Sequence, residues 1–78
     1  MTYQPYYVAF AAAHGRTPEQ QDEALTRPDG SWRGGPFIAW ICARHRQFKA
    51  LHGLPPRVPY SDEQRALFLD WLAAGAWL

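Results

Sequence analysis

Cysteine is nearly absent: Cys42 is the single one in 78 residues, which excludes an intramolecular disulfide framework. Charge is scarce too. Asp, Glu, Lys and Arg make up 19% of the chain, against about 25% in an average soluble domain. The two signs nearly cancel, leaving a net +1. That balance lacks the distinctly basic character of a typical DNA-binding domain and the acidity of a DNA mimic. No apolar run approaches the roughly 20 residues of a membrane span. The opening residues carry no basic segment leading into an apolar one, so no signal peptide is expected. Internal repeats, low-complexity blocks and linkers are missing, and the length suits one domain over residues 1–78.

Aromatic residues are plentiful, with four each of Trp, Tyr and Phe. A domain of this size buries only about 60% of the surface its unfolded chain exposes, and each buried ring removes about 150–250 Å² from water. The rings therefore offset a small core. Their number exceeds what such a core usually needs, so some are expected at the surface, where aromatics favour interfaces.

Helix signals dominate. Pro5 suits a first turn and Gly15 a stop, with Tyr6, Phe10 and Ala13 at helical spacing between them. Thr17-Pro18-Glu19-Gln20 is a capping box opening a short helix to about Leu25. Thr26 to Gly35 reads as a loop around the Pro28-Asp29-Gly30-Ser31 turn, with a short hairpin there left open. Trp32 inside it is either a plug or an exposed anchor beside Arg33. Pro36 to Leu51, stopped at Gly53, is the longest helix. Trp40, Leu51, Phe37, Phe48 and Ile41 share an apolar arc of about 100° on it. Ala39, Ala43 and Ala50 form a smooth strip, and His45, Arg46, Lys49, Cys42 and His52 occupy the third side.

Leu54 to Pro59 is a rigid extended connector. Ser61-Asp62-Glu63-Gln64 is a second capping box, opening a helix to about Ala74 with Leu67, Phe68, Trp71 and Leu72 on one side. Trp77 and Leu78 either fray or dock. The fold class is therefore all-α: three main helices and one short one, with Pro- and Gly-rich connections. Arg44 falls within the apolar arc. An unpaired buried guanidinium is costly, so Arg44 either snorkels outward or pairs with a carboxylate, Asp70 first and Asp22 or Glu23 next.

Reactive chemistry finds little support. Cys42, His45 and His52 lie on one helix, but structural zinc wants four ligands in two spaced pairs, so neither a metal nor a cofactor is expected. A Cys42–His45 dyad lacks an orienting third group, and an enzyme is not expected. Gly34-Gly35 beside Arg33 only faintly resembles an anion cradle, since neither glycine-rich nucleotide pattern is present. Two binding classes remain. Trp32, Arg33, Arg46, Lys49, His45, Arg57 and Trp77 are the expected partner-binding residues for a protein surface. The basic side of the 36–51 helix, with Arg46 and Lys49 and with Arg33 and Arg57 joining from the flanking loops, could instead contact nucleic acid, although Arg44 of the same helix is committed inward.

One pattern adds to this. His14-Gly15-Arg16-Thr17-Pro18-Glu19-Gln20-Gln21, followed by Trp32-Arg33-Gly34-Gly35 and Phe37-Ile38-Ala39-Trp40-Ile41, is similar to an arrangement in small phage and prophage proteins. There an HGxTPEE-like segment precedes a (W/Y)xGG segment and an FxxW helix. The resemblance covers residues 5–53 and assigns no role to any single residue. It implies an inhibitor of a host defence system, of the anti-CRISPR type, that acts by occlusion. Its expected partner is a host protein or ribonucleoprotein complex in the bacterial cytoplasm, with the chain a monomer or weak homodimer and no membrane involved.

Overall fold

The computed structural model describes residues 3–78. Four helices follow one another: α1 (Pro5–Ala13), α2 (Pro18–Leu25), α3 (Gly35–Leu51) and α4 (Asp62–Ala73). The protein is all-α, as the sequence signals require. The sole trace of β-structure among the described residues is an isolated antiparallel bridge between Thr26 and Trp32. No helix among them is long and apolar enough to cross a membrane.

Local chemistry sets the helix ends. Both capping boxes form: Thr17 with Gln20 on α2, and Ser61 with Gln64 on α4, each satisfying two donors that a bare helix start leaves orphaned. At the other end, α1, α3 and α4 close alike. The Arg16 amide returns to the Ala11 carbonyl, Leu54 to Lys49, and Ala76 to Trp71. The residue before each of these is a glycine at positive φ. A side chain there would meet the left-handed penalty of roughly 1–2 kcal/mol.

The radius of gyration is 13.6 Å and the extents are 42 × 23 × 22 Å. A compact 78-residue domain would measure about 11.5 Å, so the molecule is elongated. Its interior is correspondingly divided. One cluster holds Ala9, Phe48, Phe68 and Leu72, and the other holds Tyr7, Phe10 and Leu25. Trp40 packs against both. Helix α1 contacts each of the other three helices. Its alanines permit close approach, with Ala9 and Ala11 buried. The strip expected to play that role on α3 does not, since Ala39 and Ala50 are exposed.

Two further expectations fail. Leu51 and Leu67 are 64% and 50% exposed. Helix α3 has 17 residues and α1 has 9, or about 25 and 13 Å. Helix α1 therefore cannot cover the whole length of α3. Leu51, the final residue of α3, is left in solvent, while Phe48 one turn earlier is buried against Phe68 and Leu72 of α4. Leu67 faces solvent beside the buried Phe68. Conversely, α2 contributes more than its composition promised. Leu25 is buried, and so is Gln21, whose Oε1 accepts from Arg16 Nη1 at 2.8 Å.

The expected Arg44–Asp70 ion pair does not form among the described residues. Asp70 stays exposed on α4. The Arg44 guanidinium lies 5.5 Å from the Trp40 ring centroid and 5.7 Å from that of Trp77. Trp40 precedes Arg44 by four residues, so the two share a helix face. Trp77 docks from the C-terminal segment, donating from its indole Nε1 to the Leu72 carbonyl at 3.1 Å. Two aromatic faces thus replace the carboxylate as partners of the cation. Among the described residues the buried Arg44 Nε has no hydrogen-bond partner, so the stacking offsets the desolvation at that edge of the guanidinium. Replacing Arg44 by Ala should lower stability by about 1–2 kcal/mol, the range of a partly desolvated cation–π contact, whereas Asp70→Ala should leave it unchanged. Chemical denaturation of both variants checks this, and an equal loss from Asp70→Ala would restore the ion pair.

Candidate functional site

The residues expected to bind a partner separate into three groups. His45, Arg46, Lys49 and Arg57 come together in one cleft of about 840 Å³ between α1, α3, the proline connector and the start of α4. Trp32 and Arg33 lie elsewhere, on the 26–34 loop. Trp77 belongs to the interior: it meets Trp40 edge-on at 5.4 Å, and its carbonyl accepts from Gln47 Nε2 at 2.9 Å. Of the fray-or-dock alternatives for the C-terminal segment, Trp77 docks on its own chain, which takes it out of the partner-binding set.

The first cleft is basic. Arg65, which the spacing along α3 could not connect to this side, joins Arg46, Lys49 and Arg57 on its walls, and among the described residues no carboxylate lines it. Lys49 is already engaged. Its Nζ donates to the carbonyls of Pro56 and Val58, each at 3.0 Å, and lies 5.0 Å from the Tyr60 ring centroid. It thereby fastens the connector to α3. His45 is also committed to the fold, stacked on Phe68 at 4.4 Å and sharing a 2.9 Å hydrogen bond with the Tyr60 hydroxyl. Burial, and then the charge of Lys49, hold its pKa below the usual histidine range. The ring is therefore neutral at pH 7. Cys42 lines the same cleft and is exposed. Among the described residues, no group of three or more His, Cys, Asp or Glu side chains is placed to hold a metal. Among the described residues, Arg46, Arg57 and Arg65 are the cations of this cleft with no side-chain hydrogen bond to the fold.

The second cleft, of about 710 Å³, lies between the start of α1, α2, the 26–34 loop and the start of α3. Here the loop acquires its shape. Arg33 N–H donates to the Leu25 carbonyl at 2.9 Å, and the Arg27 amide to the Ser31 carbonyl at 2.8 Å. Asp29 accepts from both the amide and the hydroxyl of Ser31. These bonds hold Trp32 against Tyr7, ring centroids 6.0 Å apart, while leaving it 44% exposed. Both readings of Trp32 are thus partly realised: one edge of the ring packs and the rest faces solvent. Gly34 makes this possible, because a Cβ there would come within 3.1 Å of the indole.

Asp22 is the polar centre of this cleft. Tyr3 Oη donates to its Oδ2 at 2.9 Å and Tyr7 Oη to its Oδ1 at 2.5 Å. The signal for this contact exists in the sequence. Two hydroxyl-bearing rings stand four residues apart, at Tyr3 and Tyr7, and the four-residue link between α1 and α2 folds the acid-rich α2 back over them.

These contacts carry a pH signature. Burial, then the hydrogen bond to Asp22 and its charge, push Tyr7 up to about 12 from 10.0. The Asp22 hydrogen bond, then burial, raises Tyr3. A phenol whose pKa rises on folding stabilises the native state below its unfolded value, and that contribution is lost as pH climbs through the folded value. Stability should therefore fall between about pH 10 and pH 12, a window bounded by the two Tyr7 values. Thermal denaturation across that range should show Asp22→Asn flattening the slope. A slope unchanged by Asp22→Asn would count against the Asp22 clamp as its source. Compared with protein-family models, with curated proteins and with solved structures, the chain matches none.

Proposed function

We propose that this chain is a small non-catalytic binding protein that docks on a larger partner through the Trp32 cleft and blocks it. The observation that carries this reading is Trp32 itself. It is the one tryptophan in the exposed class, and it is held in place rather than trailing, by the loop hydrogen bonds and by Tyr7. Ile38, 60% exposed, adjoins it in the same cleft. An ordered aromatic beside exposed aliphatic surface is the usual composition of an interface anchor. Pre-setting the loop reduces the entropy lost on docking. The sequence similarity to small phage and prophage proteins supports a host defence protein or ribonucleoprotein as the blocked partner, within a bacterial cytoplasm.

A second reading has its own support. Arg46, Arg57 and Arg65 line a cleft in which no described residue is a carboxylate, which suits phosphate contacts, and such binding would weaken steeply with salt. The two readings diverge in one experiment. The tagged chain is cross-linked in lysate of a bacterial host carrying a defence system, beside Trp32→Ala and Arg57→Glu. The first reading expects a recovered protein complex whose yield falls at least about tenfold with Trp32→Ala, the loss that about 1.4 kcal/mol produces, and holds with Arg57→Glu. The reverse pattern, with nuclease-sensitive recovery, transfers the function to the basic cleft.

A further inference from the structure

Asp22 presents an electrostatic imbalance. Both of its oxygens accept a phenol proton, yet an ionised carboxylate offers about four acceptor sites, so roughly half its capacity is unused. Among the described residues no Lys, Arg or His lines the cleft around it, and Arg16 is spent on Gln21. The other lining residues of the cleft are four rings together with Gln4, Thr26 and Ile38. Tyr3 and Tyr7 are stacked at 5.6 Å, Phe37 meets Tyr7 edge-on at 5.4 Å, and Trp32 closes the outer side. Aromatic faces are electron-rich and attract cations. Both phenols keep their protons at neutral pH, since their pKa values are raised, so among the described residues that line the cleft Asp22 carries the charge, with Glu19 adding the same sign near Tyr3. A carboxylate and four rings lining one open cleft, with Trp32 the most exposed of the four, attract the same kind of ligand.

We infer that this cleft receives a guanidinium group, presented by an arginine side chain of the docking partner. Guanidinium is chosen over ammonium for three reasons: it is planar, it stacks on rings, and it is weakly hydrated while still donating in pairs to a carboxylate. This inference rests on the partner being a protein, as proposed above, and it names what that protein supplies.

The test uses the full chain and a small probe, so it does not depend on finding the partner. The ¹⁵N-labelled protein is titrated with N-acetyl-arginine amide and with its neutral isostere N-acetyl-citrulline amide. The Ile38 amide and Trp32 indole resonances report the cleft, and the Trp77 indole serves as internal control. The arginine probe should bind with a Kd on the order of 1 mM, the scale expected of so small a ligand, and the citrulline probe at least about tenfold more weakly. Asp22→Asn, which keeps the shape, should weaken the arginine probe by a similar factor. Trp32→Leu, at an exposed loop position, should do the same with Ile38 as the reporter, and it serves if the Asn variant unfolds. Equal affinity for the two probes, undiminished binding by both variants, or no shift of the cleft resonances at tens of millimolar probe would each overturn the inference. Failure here alongside Trp32-dependent capture from lysate would remove the guanidinium and keep the docking surface. Probe binding with no captured protein would do the opposite.

Discussion

The packing of rings on and around α1 is the constraint from which the rest follows. A helix of 9 residues cannot by itself cover three neighbours, and the chain solves this by making its two sides different. Tyr7 and Phe10 face one cluster and Ala9 the other, with Trp40 of α3 touching both. Phe10 and Trp40 meet at 5.7 Å, and Trp40 meets Trp77 at 5.4 Å. A divided interior of this kind has more perimeter than a round one. That is why an aromatic-rich sequence ends with several of its rings only half-covered, and why both clefts are bordered by tyrosines.

The same division places the two clefts. Phe37 and Ile38, at the start of α3, border the Asp22 cleft, whereas Cys42 to Lys49 border the basic one. The rigid connector matters to the second. Without Lys49 held to the Pro56 and Val58 carbonyls, Arg57 would not be kept opposite Arg46. The loop with its Asp29–Ser31 bonds does the equivalent work for the first. Each cleft is therefore built from helix surfaces closed by one constrained loop, and among the described residues neither depends on an ion pair.

Most of the fold was legible in the residues. Capping boxes at Thr17 and Ser61, prolines in first turns and glycines after helix ends are local signals with local causes, and all of them operate in the structure. What failed was non-local. Leu51 and Leu67 lie on the apolar side of their helices, but periodicity cannot say where a covering helix ends. Arg44 was correctly placed at the core's edge and given the wrong partner, because a sequence displays candidate carboxylates more plainly than it displays two rings brought together from Trp40 and Trp77. The basic cleft was half-visible: Arg46, Lys49, His45 and Arg57 lie near one another along the chain, whereas Arg65 arrives only through the packing of α4. Asp22 stands out in the sequence only as a candidate partner for Arg44, and its two phenol donors come from across the α1–α2 link.

The separation of Asp22 from the basic cleft has an effect before any contact is made. Phe37 and Lys49 are about 18 Å apart along α3, and the cleft around Asp22 and the cleft lined by Arg46, Arg57 and Arg65 share no lining residue. A net charge of +1 does not reveal that separation. Near a highly charged macromolecule the two clefts are drawn unequally, so one is favoured as the molecule approaches. Long-range steering of this kind raises encounter rates and fades with ionic strength. Orientation is then selected during diffusion, and the side chains of the favoured cleft meet a partner already turned toward them.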